Sequence, residues 1–354
     1  MTAQCPQQTD AFRDLYRIFA SRDGRILEFE ILPPALGPIL EDESSIGITK
    51  KYLVQAFVTA RRVFFDALDS NFEYNRKDHP KTMECRALEN ELDDKVARAS
   101  EIILLFDCEH LTACNWRKRR LVALLNSDQT TSVNALNTEL SLLTTYLCSP
   151  LHRHTKSPTL WQHRQWVQTR LLKIRKPDSH AVQELLRAEL SVVLRAGELH
   201  PRNYYAFSYM RQMHHILSEF GGDETADGTA QLARSIITPT LDWCLAHPAD
   251  ISGLMFLLYL LDAAPDTTCR LAAVSKVARF ALDIGWEGEG IWTFVDLAVR
   301  CFSLVDSLRE SRGHPWDILL HPDCVDRLPA AGGKPVPPWR AWLSRARAHW
   351  AETQ

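Results

Sequence analysis

Glycine is scarce in this sequence, with 14 in 354 residues, and strand-like alternation of apolar and polar residues is almost absent, so a turn-rich sheet protein is excluded. Long apolar runs are missing too. The stretch around Ile251 to Leu261 falls far short of the roughly 20 residues that a membrane span needs, and no transmembrane helix is expected. The opening MTAQCPQQTD has neither the basic flank nor the apolar block of a secretory signal, which makes a cytoplasmic location the expectation. Neither sign of charge dominates. With 41 basic and 44 acidic side chains the net charge is −3, which provides no global field to hold a polyanion, and nucleic acid is not expected as a partner. The nine cysteines, at positions 5, 85, 108, 114, 148, 244, 269, 301 and 324, include no C-x-x-C pair and read as reduced thiols, most of them buried, rather than a disulfide frame or a zinc site.

What is present is helical periodicity. In Val133 to Leu147 the leucines at 136, 140, 143 and 147 fall at steps of four, three and four, with Asn134, Asn137 and Ser141 left for an outer side. The same pattern predicts helices over 46–71, 94–107, 180–199, 203–219, 229–246, 250–262, 268–284 and 290–308. Arg25 to Leu32 alternates instead, until Pro33 and Pro34 stop it, and reads as an extended arm. Short breaks carry a Pro or a small polar residue followed by a large one, as in HTKSPTLW, LHPRNYYAF and AHPADISGL. Aligned on that large residue, Cys114, Trp161, Phe207, Leu254 and Trp292 lie 47, 46, 47 and 38 residues apart. Two helices and two turns fill such a period. The expected fold is all-α: a right-handed superhelix of antiparallel helical hairpins, in which those five residues pack one repeat on the next. Residues 1–90 are expected to form an irregular helical cap, 91–310 the repeats, and 311–354 a linker (AAGGKPVPPW) and a last helix from Trp339 to about Glu352, all within one elongated domain.

The segment from Lys156 to Trp166, KSPTLWQHRQW, resembles the repeat of protein prenyltransferase alpha subunits, which runs approximately P-K-N-Y-x-x-W-x-x-R-R. The next copy, HPRNYYAFSYMRQM, keeps Pro201, Arg202, Asn203 and Tyr204, with Phe207 for the tryptophan and Met210 for the first arginine. HLTACNWRKRRL keeps Arg117 and Lys118 but has Cys114 at the tryptophan position. The copies at Leu254 and Trp292 have lost the arginine to Leu257 and Val295. The resemblance covers about residues 95–308. Within the family the chain is similar to the divergent alpha-like subgroup of type III geranylgeranyl transfer, on the Lys-Ser-Pro before Trp161, the D-x-S-G at Asp250 to Gly253, and the W-R-x-W-L at Trp339 to Leu343.

That resemblance implies a helical crescent wrapped around a separate beta subunit, which would bind zinc and the isoprenoid diphosphate; no cofactor is expected in this chain. The substrate would be a protein with a C-terminal cysteine, a membrane-trafficking protein such as a SNARE. Lys156 matches the lysine that reaches the diphosphate, where a cation stabilises charge on the leaving group; Pro158 stands where the family has tyrosine. The resemblance also places Arg202, Asn203, Tyr204, Arg164 and Arg117 as residues facing partner or substrate. Each has an unremarkable alternative: Lys156 as a solvated turn lysine, Arg164 as a structural ion pair, Asn203 as a helix cap, and Arg117 to Arg120 as a solvated face. His152 with His154, and His214 with His215, lack the carboxylate or cysteine company of a metal site. A non-enzymatic helical scaffold for protein–protein interaction is the alternative function.

Overall fold

The computed structural model describes residues 10–74, 83–126, 128–151, 153–220, 226–310 and 316–319. They fall in two compact units that divide between Lys176 and Pro177. The first holds α1 (Ala11–Ala20), β1 (Glu28–Leu32), β2 (Ile39–Asp42), β3 (Ser45–Thr49), α2 (Lys50–Tyr74), α3 (Met83–Phe106), α4 (Leu111–Leu124), α5 (Gln129–Leu147) and α6 (Pro158–Arg175). The second holds α7 (Ser179–Leu199), α8 (Tyr204–Phe220), α9 (Ala226–Ala246), α10 (Ile251–Ala263), α11 (Thr267–Asp283), α12 (Glu289–Cys301), α13 (Val305–Glu310) and the single turn α14 (Trp316–Leu319). The architecture is all-α hairpin repeats with one small sheet. The division at Lys176 has a local cause: Lys176 takes the left-handed conformation (φ 46°) that closes α6, and Pro177 cannot continue a helix. The repeat spacing in the sequence runs on across it.

Two sequence readings are corrected in the first unit. The alternating segment at 25–32 is not an isolated arm, because β1 pairs in parallel with β3, and β3 pairs antiparallel with β2. Residues 46–49, read as the start of a helix, form β3. Ile46 and Ile48 are buried on one face, and Gly47 between them has no room for a side chain, since a Cβ would stand 2.6 Å from the Leu32 methyl. The open edge of β1 is covered by α5: the Leu27 and Phe29 amides donate to Thr145 Oγ1 and Ser149 Oγ at 3.0 and 2.9 Å. Further along α5, buried Arg22 donates to Ser141 Oγ (2.6 Å) and to the Thr138 carbonyl (3.1 Å). Residues 138, 141, 145 and 149 therefore form one polar stripe that clamps the N-terminal segment, where the sequence reading had left Ser141 for solvent.

In the second unit, the helix expected over 290–308 breaks at Cys301. Ser303 turns left-handed (φ 52°), and the Leu304 amide closes the end onto the Val299 carbonyl at 3.0 Å. Trp243 fills the centre of this unit. It lies edge-on to Phe207 (5.6 Å) and wedges against Gly197 and Gly253, where an added Cβ would meet the indole at 2.9 and 2.5 Å. Of the linker and last helix expected over 311–354, only the turn of α14 (Trp316–Leu319) is described, and the rest lies outside the described residues.

Candidate functional site at the starts of the repeat helices

The even-numbered helices from α4 to α12 open alike. Cys114, Trp161, Phe207, Leu254 and Trp292 are each the fourth residue of their helix, and each is buried. In four of them the residue's amide donates to the carbonyl of the capping residue four positions earlier, at 3.1 to 3.4 Å: His110, Ser157, Asn203 and Asp250. The cap side chains differ in chemistry but do the same work. His110 Nδ1, Ser157 Oγ, Asn203 Oδ1 and Asp250 Oδ1 each accept a first-turn amide that the helix leaves without a partner. The two tryptophans share a further bond, since each indole N–H donates to the carbonyl six residues earlier, Thr155 at 2.8 Å and Trp286 at 3.1 Å. A fully buried ring of this size contributes on the order of 2 to 3 kcal/mol.

Three residues read as facing a partner point inward instead. Arg117 is buried in an ion-pair cluster: Nε donates to Glu139 Oε1 at 2.8 Å, Nη2 to Glu139 Oε2, and Nη1 to Ser100 Oγ at 2.8 Å, with Glu101 3.5 Å away. Arg164 is buried too, donating to Thr144 Oγ1 (2.9 Å) and the Leu140 carbonyl (3.3 Å). Asn203 is a buried helix cap. The guanidinium at the seventh position of α4 and of α6 is buried between helices, Arg117 against Glu139 of α5 and Ser100 of α3, Arg164 against Thr144 and the Leu140 carbonyl of α5.

Glu139, which the motif reading did not single out, is the centre of the cluster. His163 Nε2 lies 2.7 Å from its Oε1. Burial alone would push the Glu139 carboxyl up, but Arg117 and His163 beside it prevail and hold it well below the usual carboxylate range. Burial likewise pushes the His163 imidazole down, and the Cys114 thiol and Glu139 more than reverse this. The signal for Glu139 was positional. It is the eleventh residue of α5, and Glu189, the eleventh of α7, is also buried and accepts the Tyr209 hydroxyl at 2.5 Å. Later repeats place buried Ile236 and Val277 there, with buried Phe256 and Phe294 at the helix position that His163 and Tyr209 hold in α6 and α8.

Exposed polar groups gather in the turns ahead of the helices. Lys156, half-buried, ends a 3-10 turn (His154–Lys156). Glu109 holds the same motif place one repeat earlier, five residues before Cys114. Its carboxylate reaches the start of α6, accepting the Ser157 and Thr159 hydroxyls. In the second unit Asp250 makes the corresponding tie, accepting the Arg202 amide at 2.7 Å and so holding Arg202 in a left-handed conformation (φ 60°). The Arg202 side chain is exposed, and next to it stand Tyr204 and Tyr205, 59% and 50% exposed. His154 is buried, 3.0 Å from the Leu104 carbonyl, with its pKa pushed down to about 4 by desolvation. His214 is buried between Tyr259 and the Thr229 carbonyl, whereas His215 is exposed near Glu219. His152 lies outside the described residues. Among the described residues no three His, Cys, Asp or Glu side chains come together as a metal site, and no helix is long and apolar enough to cross a membrane.

The geometry defines a class: a helical-hairpin repeat protein whose second helices each bury their fourth residue, four of the five behind a side-chain-capped turn. Comparison with known proteins agrees. The model of the protein prenyltransferase alpha subunit repeat matches residues 186–216, which run from the middle of α7 through the Arg202 turn into α8. A zebrafish (Danio rerio) protein named "Protein prenyltransferase alpha subunit repeat-containing protein 1" is 30% identical over 162 residues, 40% of this chain and 36% of that relative's length. The likeness to the prenyltransferase alpha subunit repeat is thus one matched repeat and a partial relative, and the chain spans about a third of that relative's length.

Proposed function

We propose that this chain is an alpha-like subunit of a protein geranylgeranyltransferase. In this reading it holds a beta subunit that carries the zinc and the isoprenoid, and it supports transfer to a C-terminal cysteine of a membrane-trafficking protein such as a SNARE. The observation that carries the reading is the Arg202 turn. It lies within the matched repeat, its backbone is fixed by Asp250, and it presents a guanidinium and two tyrosines outward on a rigid base, as a protein-binding surface requires. Co-expression with a prenyltransferase beta subunit tests it. A tight complex, weakened by Arg202→Ala with Tyr204→Ala, supports the reading, and no complex overturns it.

Glu109 favours a second reading, that of a scaffold without a catalytic contribution. A diphosphate brought to Lys156 would approach a carboxylate that already takes the hydroxyl donors at the start of α6. Single-turnover transfer by the assembled complex decides between the two. If Lys156 stabilises the leaving diphosphate, Lys156→Ala slows transfer by about 10²- to 10³-fold; an unchanged rate leaves the chain as a scaffold for its partner's active site.

A further inference from the structure

Helix α2 carries a face whose charge works against the helix itself. Lys50 and Lys51 stand in its first turn, where the macrodipole favours acids, and no acidic residue is present there. Three turns on, Arg61 and Arg62 are exposed. Among the described residues none of these four cations has a carboxylate partner. Between them Phe57, Val58 and Phe65, with the two arginines, line a shallow open groove. Its floor is rigid. Phe57 stacks on Phe106 at 4.3 Å, Phe65 lies against His110 at 6.2 Å, and the Arg61 guanidinium sits over the Phe65 ring at 5.6 Å. Val58 is 52% exposed with no apolar cover.

The pattern follows the helix axis. Lys51, Val58 and Arg62 share one stripe, with Phe57, Arg61 and Phe65 on the next, and Lys51 to Arg62 spans about 16 Å at 1.5 Å per residue. Beyond Arg62 the sign reverses, since Asp66 and Asp69 are exposed one and two turns further on. An anionic bilayer or a phosphodiester backbone would be repelled at that end, and three half-exposed apolar side chains offer little to insert. A helix with acids opposite the lysine–arginine end fits both the length and the sign change.

We propose that this face of α2 docks an acidic amphipathic helix of a partner protein, with its carboxylates on Lys51, Arg61 and Arg62 and its apolar side chains on Phe57, Val58 and Phe65. The surface lies outside the repeats, so it stands independently of a beta subunit at the Arg202 turn.

The test uses the full chain and a labelled synthetic amphipathic helix about four turns long. The peptide has leucines on one stripe and glutamates flanking it, and a control carries lysines in place of the glutamates; binding is read by fluorescence anisotropy. The acidic peptide should bind the wild-type chain, weaken at least about tenfold with Arg61→Glu and Arg62→Glu together, and lose affinity with added salt. The lysine peptide should bind the reversed variant in preference to the wild type. Where the reversal impairs folding, Arg61→Gln with Arg62→Gln tests the same loss. No binding of the acidic peptide, equal binding by the variants, equal binding of the lysine peptide to the wild type, or preference for phosphatidylserine vesicles over the peptide overturns the proposal.

Discussion

Replacing Glu139 with glutamine should be among the most damaging single changes in the first unit. The substitution keeps the shape of the side chain but removes its charge. Arg117, whose own pKa is raised by its acidic neighbours, then stays ionised in the core. At 2.8 Å the gross attraction is about 6 kcal/mol for an effective dielectric constant near 20. Breaking a buried pair while leaving one charge behind costs about 3–5 kcal/mol. Glu101 remains 3.5 Å from Arg117 and offsets part of this, so about 3 kcal/mol is expected. Urea unfolding of the full chain, followed by hydrogen exchange, should show the loss in α4 to α6 and leave α8 to α12 unchanged. The chain also contains its own apolar version of the cluster. Met210, Ile236 and Phe256 occupy in α8, α9 and α10 the helix positions that Arg117, Glu139 and His163 occupy in α4, α5 and α6. The triple change Arg117→Met, Glu139→Ile, His163→Phe should therefore recover most of the stability lost by Glu139→Gln. A loss below about 1 kcal/mol for Glu139→Gln, or a triple variant as unstable as the single one, refutes the reasoning.

Three further outcomes are expected. His154 titrates near 4 in the folded chain and near 6.5 when unfolded, so between those values the unfolded state holds more protons and stability rises with pH. The swing is about 3 kcal/mol, and subtracting the pH profile of His154→Asn from that of the wild type isolates it; a flat difference between pH 4 and 6.5 refutes it. His163 has the opposite sign: its raised pKa adds stability below about 6.5 that is lost as pH rises through the folded value. Gly253→Ala forces a Cβ against the Trp243 ring and should cost about 1–3 kcal/mol in thermal melts. Combining it with Trp243→Leu should cost less than the two changes added separately, and strict additivity would show that the ring is not the obstacle.

The helices were legible because burial imposes a 3.6-residue period, and the repeat because each hairpin solves the same packing problem at nearly the same length. The small sheet was not. Ile46 and Ile48 lie two apart, and with the apolar residues of α2 directly behind them the strand merges into the helical pattern. The stripe of Thr138, Ser141, Thr145 and Ser149 was equally hidden, since hydroxyls at helical spacing look like a solvated face until a segment more than a hundred residues away is placed on it. At the site, the motif resemblance singled out Arg117 and Arg164 but not the direction they face. Their partners, Glu139 from the neighbouring hairpin and the Thr144 hydroxyl with the Leu140 carbonyl, lie 20 to 24 residues away, and only the recurrence of a glutamate at Glu189 hints at the first of them.

The direction of those arginines changes what their loss means. In the sequence, replacement of the motif arginine by Leu257 and Val295 in the last two copies looks like a decaying interface with a beta subunit, which keeps the scaffold reading open. In the structure that position is interior in all five helices, and from α9 onward the helix positions equivalent to Glu139 and His163 are apolar and buried as well, Ile236 with Phe256 and Val277 with Phe294. The later repeats have exchanged an ionic core for a hydrophobic one, a change that is neutral or stabilising when partners change together. The arginine pattern therefore cannot separate an enzyme subunit from a scaffold. What can is the motif place five residues before each buried helix-start residue, occupied by Glu109, Lys156, Arg202, Ala249 and Glu287. Among these five places two are acidic, one is neutral, and only Lys156 and Arg202 offer a cation to a diphosphate.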